Sequence, residues 1–217
     1  MGLISPSRFH EDRKGTVLAL INSDKNEVEI KLVYYGPGRA GKTSNLEYIY
    51  KKFEKRIKGK LASIKTHGDR TLFYDSLPLD IGTVKGYNIK VQLYTIPGQI
   101  KYATTKKLVL RGADGIVFVA DSMVLRQNLN IASFQDLKEN LTIFDKDIFK
   151  IPLVFQYNKR DLADQNIPIL SYEILEKDLN SELKAPSFEA SAIKGSNVIE
   201  TVKKIISLTV ASLQDKL

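Results

Sequence analysis

Eight residues, Gly36-Pro37-Gly38-Arg39-Ala40-Gly41-Lys42-Thr43, constrain this chain more than any other stretch. They fit G-x-x-x-x-G-K-[ST], a loop whose backbone N–H groups converge on phosphate oxygens. The flanks supply the context that the motif needs. Val28–Tyr35 alternates and then turns continuously apolar, as a buried strand does. Behind the loop, Leu46, Ile49, Tyr50 and Phe53 recur on one helical face, and a helix is expected from Lys42 to about Ile57. The start of that helix adds partial positive charge. Lys42 would reach the β- and γ-phosphates and the Thr43 hydroxyl would bind Mg²⁺. Gly36, Gly38, Arg39, Ala40, Gly41, Lys42, Thr43 and Ser44 are therefore candidate nucleotide-binding residues.

Composition narrows the class. A chain of 217 residues, 43% of them hydrophobic, suits one α/β domain with a full core. With no cysteine, disulfides, thiolate metal sites and C-terminal prenylation do not apply. No apolar run reaches membrane-spanning length, and no signal peptide is visible, so a cytoplasmic protein is expected. Met1-Gly2 fails the myristoylation pattern because Pro6 stands where Ser or Thr is required. The net charge of +8 concentrates in Lys51, Lys52, Lys55, Arg56, Lys58, Lys60 and Lys65, opposed by Glu54. That run reads as a solvated helix end, with peripheral docking on an acidic surface as the alternative. Basic residues do not interleave with aromatic ones, so nucleic acid is not an expected partner. His10 and His67 stand isolated, without metal-ligand company.

Residues 1–16 form a basic arm, expected to be loose, and residues 17–217 the folded domain. Val17–Ile21 reads as a short hairpin strand turned back through Asn22–Asn26 into the strand before the loop. A long basic, irregular stretch follows the first helix to Asp69, a length typical of functional loops. Tyr87–Tyr94 alternates Ile89, Val91 and Leu93 against Lys90 and Gln92, and residues 79–86 pair with it through a turn at Gly86. A short helix is expected around Lys101–Arg111 and a buried parallel strand at Ile116–Ala120, ending in Asp121. Phe134, Leu137, Leu141 and Phe144 mark a helix, Leu153–Phe155 a strand, and residues 171–181 a further helix. Phe188–Ala190 and a helix from Val198 to Leu213 close the domain. Strands alternating with amphipathic helices imply a mostly parallel sheet covered on both faces, with ligands at the carboxyl ends of its strands.

Asn158-Lys159-Arg160-Asp161 lies on such an end. The Asp161 carboxylate can accept from guanine N1–H and the exocyclic amine, a pair that adenine lacks. Asn158 would contact guanine N7 and tie neighbouring loops, while the Lys159 stem covers a ring face. Ser191-Ala192-Ile193 could offer backbone N–H to guanine O6. Alone, N-K-x-D is a weak signal; after a phosphate loop, on a later strand end, it is a strong one.

Together these pieces resemble the Ras-like small GTPases of the P-loop fold and, more narrowly, the bacterial MglA-type cell-polarity and gliding GTPases. The likeness is carried by Val33–Gly38, Gly41–Leu46, Arg70–Asp75, Leu93–Gln99, Asp114–Ser122 and Gln156–Leu162, and covers about residues 18–210. It implies a six-stranded sheet with one antiparallel strand and a switch transition that includes a strand register shift. It implies a monomer that binds GTP or GDP with Mg²⁺ and hydrolyses GTP. Thr71 would complete the Mg²⁺ shell beside Thr43, Gly98 would sense the γ-phosphate, and Gln99 would orient the attacking water. Arg70 would be an arginine finger supplied in cis. The implied partners are a roadblock-fold (MglB-like) homodimer that accelerates hydrolysis, and polarity or motility effectors, with recruitment to cell poles.

The chain departs from the broader family at Thr95, where most small GTPases carry the Asp of D-x-x-G, as is typical of the MglA branch. Arg39 stands where an apolar residue is common and is expected to face solvent. Two rival classes compete with a switch. A P-loop small-molecule kinase or ATPase would carry a lid with several arginines, which is absent here. A pseudo-GTPase would bind nucleotide without turnover, against which Lys42, Thr43, Thr71 and Gln99 argue.

Overall fold

The computed structural model describes residues 20–22, 26–54, 65–66, 70–71, 76–96 and 103–214. Its axis is strand β2, Glu27–Tyr35. Along one edge Glu27–Tyr34 runs parallel to β6, Tyr87–Thr95. The other edge is shared between two strands. β1, Leu20–Asn22, pairs antiparallel with Glu27–Glu29, and β7, Gly115–Asp121, pairs parallel with Leu32–Tyr35. β8 (Leu153–Asn158) and β9 (Ser187–Glu189) extend the sheet in parallel, while β5 (Ser76–Val84) closes the far edge antiparallel to β6. The order β5-β6-β2-β7-β8-β9, with β1 appended to β2, is the expected six-stranded, mostly parallel sheet plus a short hairpin strand.

Side-chain pattern explains the layering. Every residue of β7 and β8 is buried, as a strand covered on both faces requires. On one face Val28, Ile30 and Leu32 meet Leu46 and Ile49 of α1 (Lys42–Phe53), with Val202 and Ile205 of α5 (Val198–Gln214). On the other, Val33, Tyr35, Phe118 and Phe155 meet α3 (Gln127–Thr142) through Phe134, Leu137 and Leu141, and α2 (Ala103–Leu110) through Val109 and Leu110. The Phe134 ring stands edge-on to Phe118 and Phe155, with centroids 5.1 and 5.3 Å away, an arrangement the ring quadrupoles favour.

The β5–β6 hairpin closes on Lys85 and Gly86, both at positive φ, the geometry that matches the twist of paired strands. β5 starts at Ser76, before the expected Leu79, and carries a bulge between Asp80 and Gly82. Within the basic stretch read as irregular, β3 (Lys65–Thr66) forms one strand of a two-stranded ladder, pairing antiparallel with β4 (Arg70–Thr71) just beyond it. Phe144 lies just past the end of α3 and packs on the second core from the following turn. The helix expected over 171–181 is a short α4 (Tyr172–Leu175) that widens into a π turn over Glu176–Asn180. There the Glu176 carboxylate accepts from the Tyr157 hydroxyl at 2.6 Å and from Asn180 Nδ2 at 2.9 Å. α1 is described as far as Phe53, with Glu54 as its cap; residues 55–57 of the expected helix lie outside the described residues. The arm at 1–16 lies outside them as well. No helix among the described residues is long and apolar enough to cross a membrane.

Candidate functional site

β2 ends at Tyr35 and delivers the chain into Gly36, whose φ of +138° only glycine adopts without strain. A Cβ there would sit 2.1 Å from the Val119 carbonyl oxygen, so the loop lies directly on β7. Gly41, at φ +99°, is the N-cap of α1 and offers no side-chain cap to the first helical turn. A Cβ on Gly41 would fall 2.2 Å from Asn158 Nδ2. Inside the loop the Lys42 ammonium is buried and donates to the carbonyls of Gly36 (2.8 Å) and Pro37 (2.7 Å). Thr43 and Ser44 follow in the first helical turn, both half-buried, and Ala40 is buried. Arg39 is exposed, at φ +66°. A glycine-rich turn before an uncapped helix start, with a lysine ammonium held inside it, is a geometry that favours anions.

β8 carries the second part. From its last residue, Asn158 Nδ2 donates to the Ala40 carbonyl at 2.7 Å, and Asn158 Oδ1 accepts from Ala192 N–H at 2.8 Å. One buried side chain thus joins the glycine loop to the loop after β9. Lys159 takes a left-handed φ of 70°, and its ammonium donates to Asp121 Oδ2 at 2.7 Å. Asp161 follows in the first turn of a 3₁₀ segment, Arg160–Gln165, half-buried and without a hydrogen bond among the described residues. Ser191 and Ala192 are buried; Ile193 is exposed. The turn holding them closes through Gly195 N–H to the Ser191 carbonyl at 2.7 Å. Gly195 lies beneath the Tyr48 ring of α1, where a Cβ would approach to 2.0 Å.

The described residues therefore gather Gly36 to Ser44, Asn158 to Asp161 and Ser191 to Ile193 at the carboxyl ends of β2, β8 and β9. Arg70 and Thr71 are described as backbone alone, in register with Thr66 and Lys65. Gly98 and Gln99 lie outside the described residues. Thr95, replacing the usual carboxylate, is fully buried at the end of β6 opposite Tyr34.

Asp121 contributes more than its place at the end of β7 announced. Oδ1 accepts from Met123 N–H at 3.1 Å, and Oδ2 takes both Lys159 and, at 3.5 Å, Arg126 Nε. Arg126, from the 3₁₀ turn Val124–Arg126, also donates to the Gly38 carbonyl at 2.5 Å. Arg126 was not evident as a site residue from the sequence. Its only signal was an arginine five residues beyond a strand-end carboxylate.

A sheet of this order, with a glycine loop after one strand and N-K-x-D after another, is the arrangement of the P-loop guanine nucleotide-binding class. The Ras family sequence model matches residues 31–211. The mutual gliding-motility protein MglA of Myxococcus xanthus is 44% identical over 91% of this chain and 98% of its own. Rab-27B of Rattus norvegicus is 26% identical over 85% of this chain and 81% of its own. Rab-7a of Dictyostelium discoideum is 27% identical over 89% and 88%. The chain belongs to the Ras family, in its MglA-type branch, and is a guanine nucleotide-binding GTP hydrolase.

Proposed function

We propose that the chain is a GTP/GDP switch for bacterial motility or cell polarity, with GTP hydrolysis as its timer. The bridge made by Asn158, joining Ala40 of the glycine loop to Ala192 of the base loop, carries the guanine reading. Phosphate and base loops fixed to one side chain can grip the two ends of a single nucleotide. Asp161, whose carboxylate makes no hydrogen bond among the described residues, would read the guanine edge. The likeness to a gliding-motility protein along nearly the full length of both chains supports the process.

The donor set suits Mg²⁺: Thr43 offers a neutral hydroxyl at the phosphate loop, and Thr71 is assigned the second. No cluster of three carboxylate, His or Cys side chains occurs among the described residues. Mg²⁺ keeps several waters and is bound largely through substrate phosphates, so sparse hydroxyl ligands are sufficient. When bound, it would neutralise charge between the β- and γ-phosphates. Lys42 would hold the phosphates, and the family likeness assigns Gly98 to sensing the last of them, Gln99 to orienting water and Arg70 to offsetting charge on the leaving phosphates. A roadblock-fold homodimer of the MglB kind is the proposed activator of a monomeric chain recruited to cell poles. Lys51 and Lys52, exposed on the last turn of α1, leave room for peripheral docking.

Base competition tests the reading. GTP should displace a fluorescent GDP at least about 10⁴-fold better than ATP, because paired hydrogen-bond sites reject ligands lacking the pair. Asp161→Asn should weaken GTP and favour xanthosine triphosphate. Equal competition by ATP would remove the guanine assignment. Phosphate release by the native chain separates a timer from a silent nucleotide-binding module.

A further inference from the structure

We propose that Arg126 is a positioning residue of the phosphate loop, locking the orientation of the Gly38–Arg39 peptide and linking it through Asp121 to Lys159. The inference rests on the nucleotide-binding reading above and adds to it a determinant of nucleotide residence time.

The argument begins with the peptide plane. In a trans peptide the carbonyl and the following N–H point in opposite directions. Arg126 Nη2 donates to the Gly38 carbonyl at 2.5 Å, so that carbonyl is held toward Arg126 and the Arg39 N–H is turned away from it. Arg39 sits at φ +66°, a left-handed backbone that costs a non-glycine residue energy. Rotating the 38–39 peptide would relieve that strain and turn the carbonyl around, where it would present an oxygen in place of a donor. The guanidinium opposes this rotation.

The same guanidinium is itself held. Its Nε lies 3.5 Å from Asp121 Oδ2, an oxygen that also accepts from the Lys159 ammonium at 2.7 Å. Asp121 has no freedom to drift. Its carboxylate is buried, its second oxygen accepts from Met123 N–H at 3.1 Å, and the Asn130 amide bonds both its N–H and its carbonyl at 2.9 Å. Arg126 therefore spans from the phosphate loop to the residue whose stem covers the base. A forked guanidinium can satisfy both oxygens at once, which a single ammonium cannot.

The element that carries this clamp is only lightly anchored. None of the three residues of the Val124–Arg126 turn is buried, and Leu125 is 87% exposed. The clamp can thus open without disturbing the core, as a control on release requires.

The test is GDP release, followed with a fluorescent nucleotide on the full chain. Arg126→Ala should speed release about tenfold or more, the effect of losing one charge-assisted hydrogen bond. Preference for GTP over ATP should be unchanged, because Asp161 is untouched. The decisive readout is the same substitution beside Arg39→Gly, which removes the left-handed strain that drives the peptide to rotate. There Arg126→Ala should change release by only about twofold, the strain component having gone. An equal fold-change in both backgrounds, or none in either, overturns the proposal. Should Arg126→Ala fail to fold, Arg126→Gln, which keeps an amide donor without the charge, carries the same comparison. Failure of the native chain to bind GDP would instead remove the nucleotide reading, a distinguishable result.

Discussion

Asn45 of α1 and Gln156 of β8 exchange a pair of amide hydrogen bonds, 2.8 Å in one direction and 2.9 Å in the other, at the buried centre of the molecule. Gln156 Nε2 also donates to Thr201 Oγ1 of α5 at 3.2 Å, and Asn45 Nδ2 to the Gly41 carbonyl at 2.9 Å. The pair therefore sets the helix that starts at the phosphate loop against the strand that carries the guanine motif.

Removing one member strands the other. Gln156→Leu should destabilise by about 1–3 kcal/mol, the cost of leaving a buried polar group unsatisfied. Replacing both, Asn45→Leu with Gln156→Leu, should recover part of that loss, because two apolar groups leave no orphan between them. Urea midpoints of Asn45→Leu, Gln156→Leu and the double variant check the order. A double variant as weak as the sum of its parts would mean the amides act independently.

Neither amide was legible as a partner in the sequence. The bond between them spans 111 positions, beyond the reach of any local pattern. The glycine loop was legible because its requirements are local: positive φ at Gly36 and Gly41, an apolar strand before, a helical stripe after. Asn158 to Asp161 were legible by position on a strand end. Arg126 was not, because its value depends on reaching a carbonyl 88 positions away. The β3–β4 ladder has two residues per strand, too short for any alternation to register. At the widening after α4 the Glu176 carboxylate also accepts from Tyr157 of β8, a contact that no local pattern announces.

A second polar cluster, on the other face of the sheet, ties α2 to α3 and β2. Asp136 of α3 accepts from the Lys106 ammonium at 2.6 Å and from the Tyr35 hydroxyl at 2.5 Å. Lys106 is buried, so Asp136→Ala leaves an uncompensated charge and should cost about 3 kcal/mol. Lys106→Met keeps an apolar stem in the same space and should cost less. Thermal or urea unfolding of the two variants checks the ranking, and equal losses would mean the ammonium is already well solvated.

Alkaline pH should weaken the fold. Burial raises the hydroxyls of Tyr34, Tyr35 and Tyr157 well above their ordinary value, helped in Tyr35 by its bond to Asp136 and in Tyr157 by its bond to Glu176. The unfolded chain releases these protons near pH ~10 while the folded chain keeps them. Above that pH the native state binds more protons than the unfolded one, so stability falls as pH rises. Each such group contributes a slope of about 1.4 kcal/mol per pH unit. Lys31 acts in the opposite sense, since burial lowers its ammonium, but it is one group against three. Urea titrations either side of that pH, with tyrosinate absorbance followed in parallel, check this. Phenolate absorbance for these tyrosines should appear together with unfolding and not before it.

Hydrolysis should depend on Arg70 and Gln99 in a way that a partner reveals. Arg70, the proposed catalytic cation, pairs with Thr66 in a ladder of two residues per strand. Intrinsic turnover should therefore be slow, since an arginine finger is worth about 10³–10⁵ in rate only when it is in place. A partner that holds Arg70 and Gln99 in line would lower the entropic part of the barrier without adding an arginine of its own. Gln99→Leu should bind GTP normally and ignore the activator. Arg70→Ala should do nearly the same, and added activator should not restore it. Phosphate release with and without a roadblock-fold homodimer measures both. Full stimulated turnover by Arg70→Ala would mean that the finger comes from elsewhere, and the assignment of Arg70 would fall.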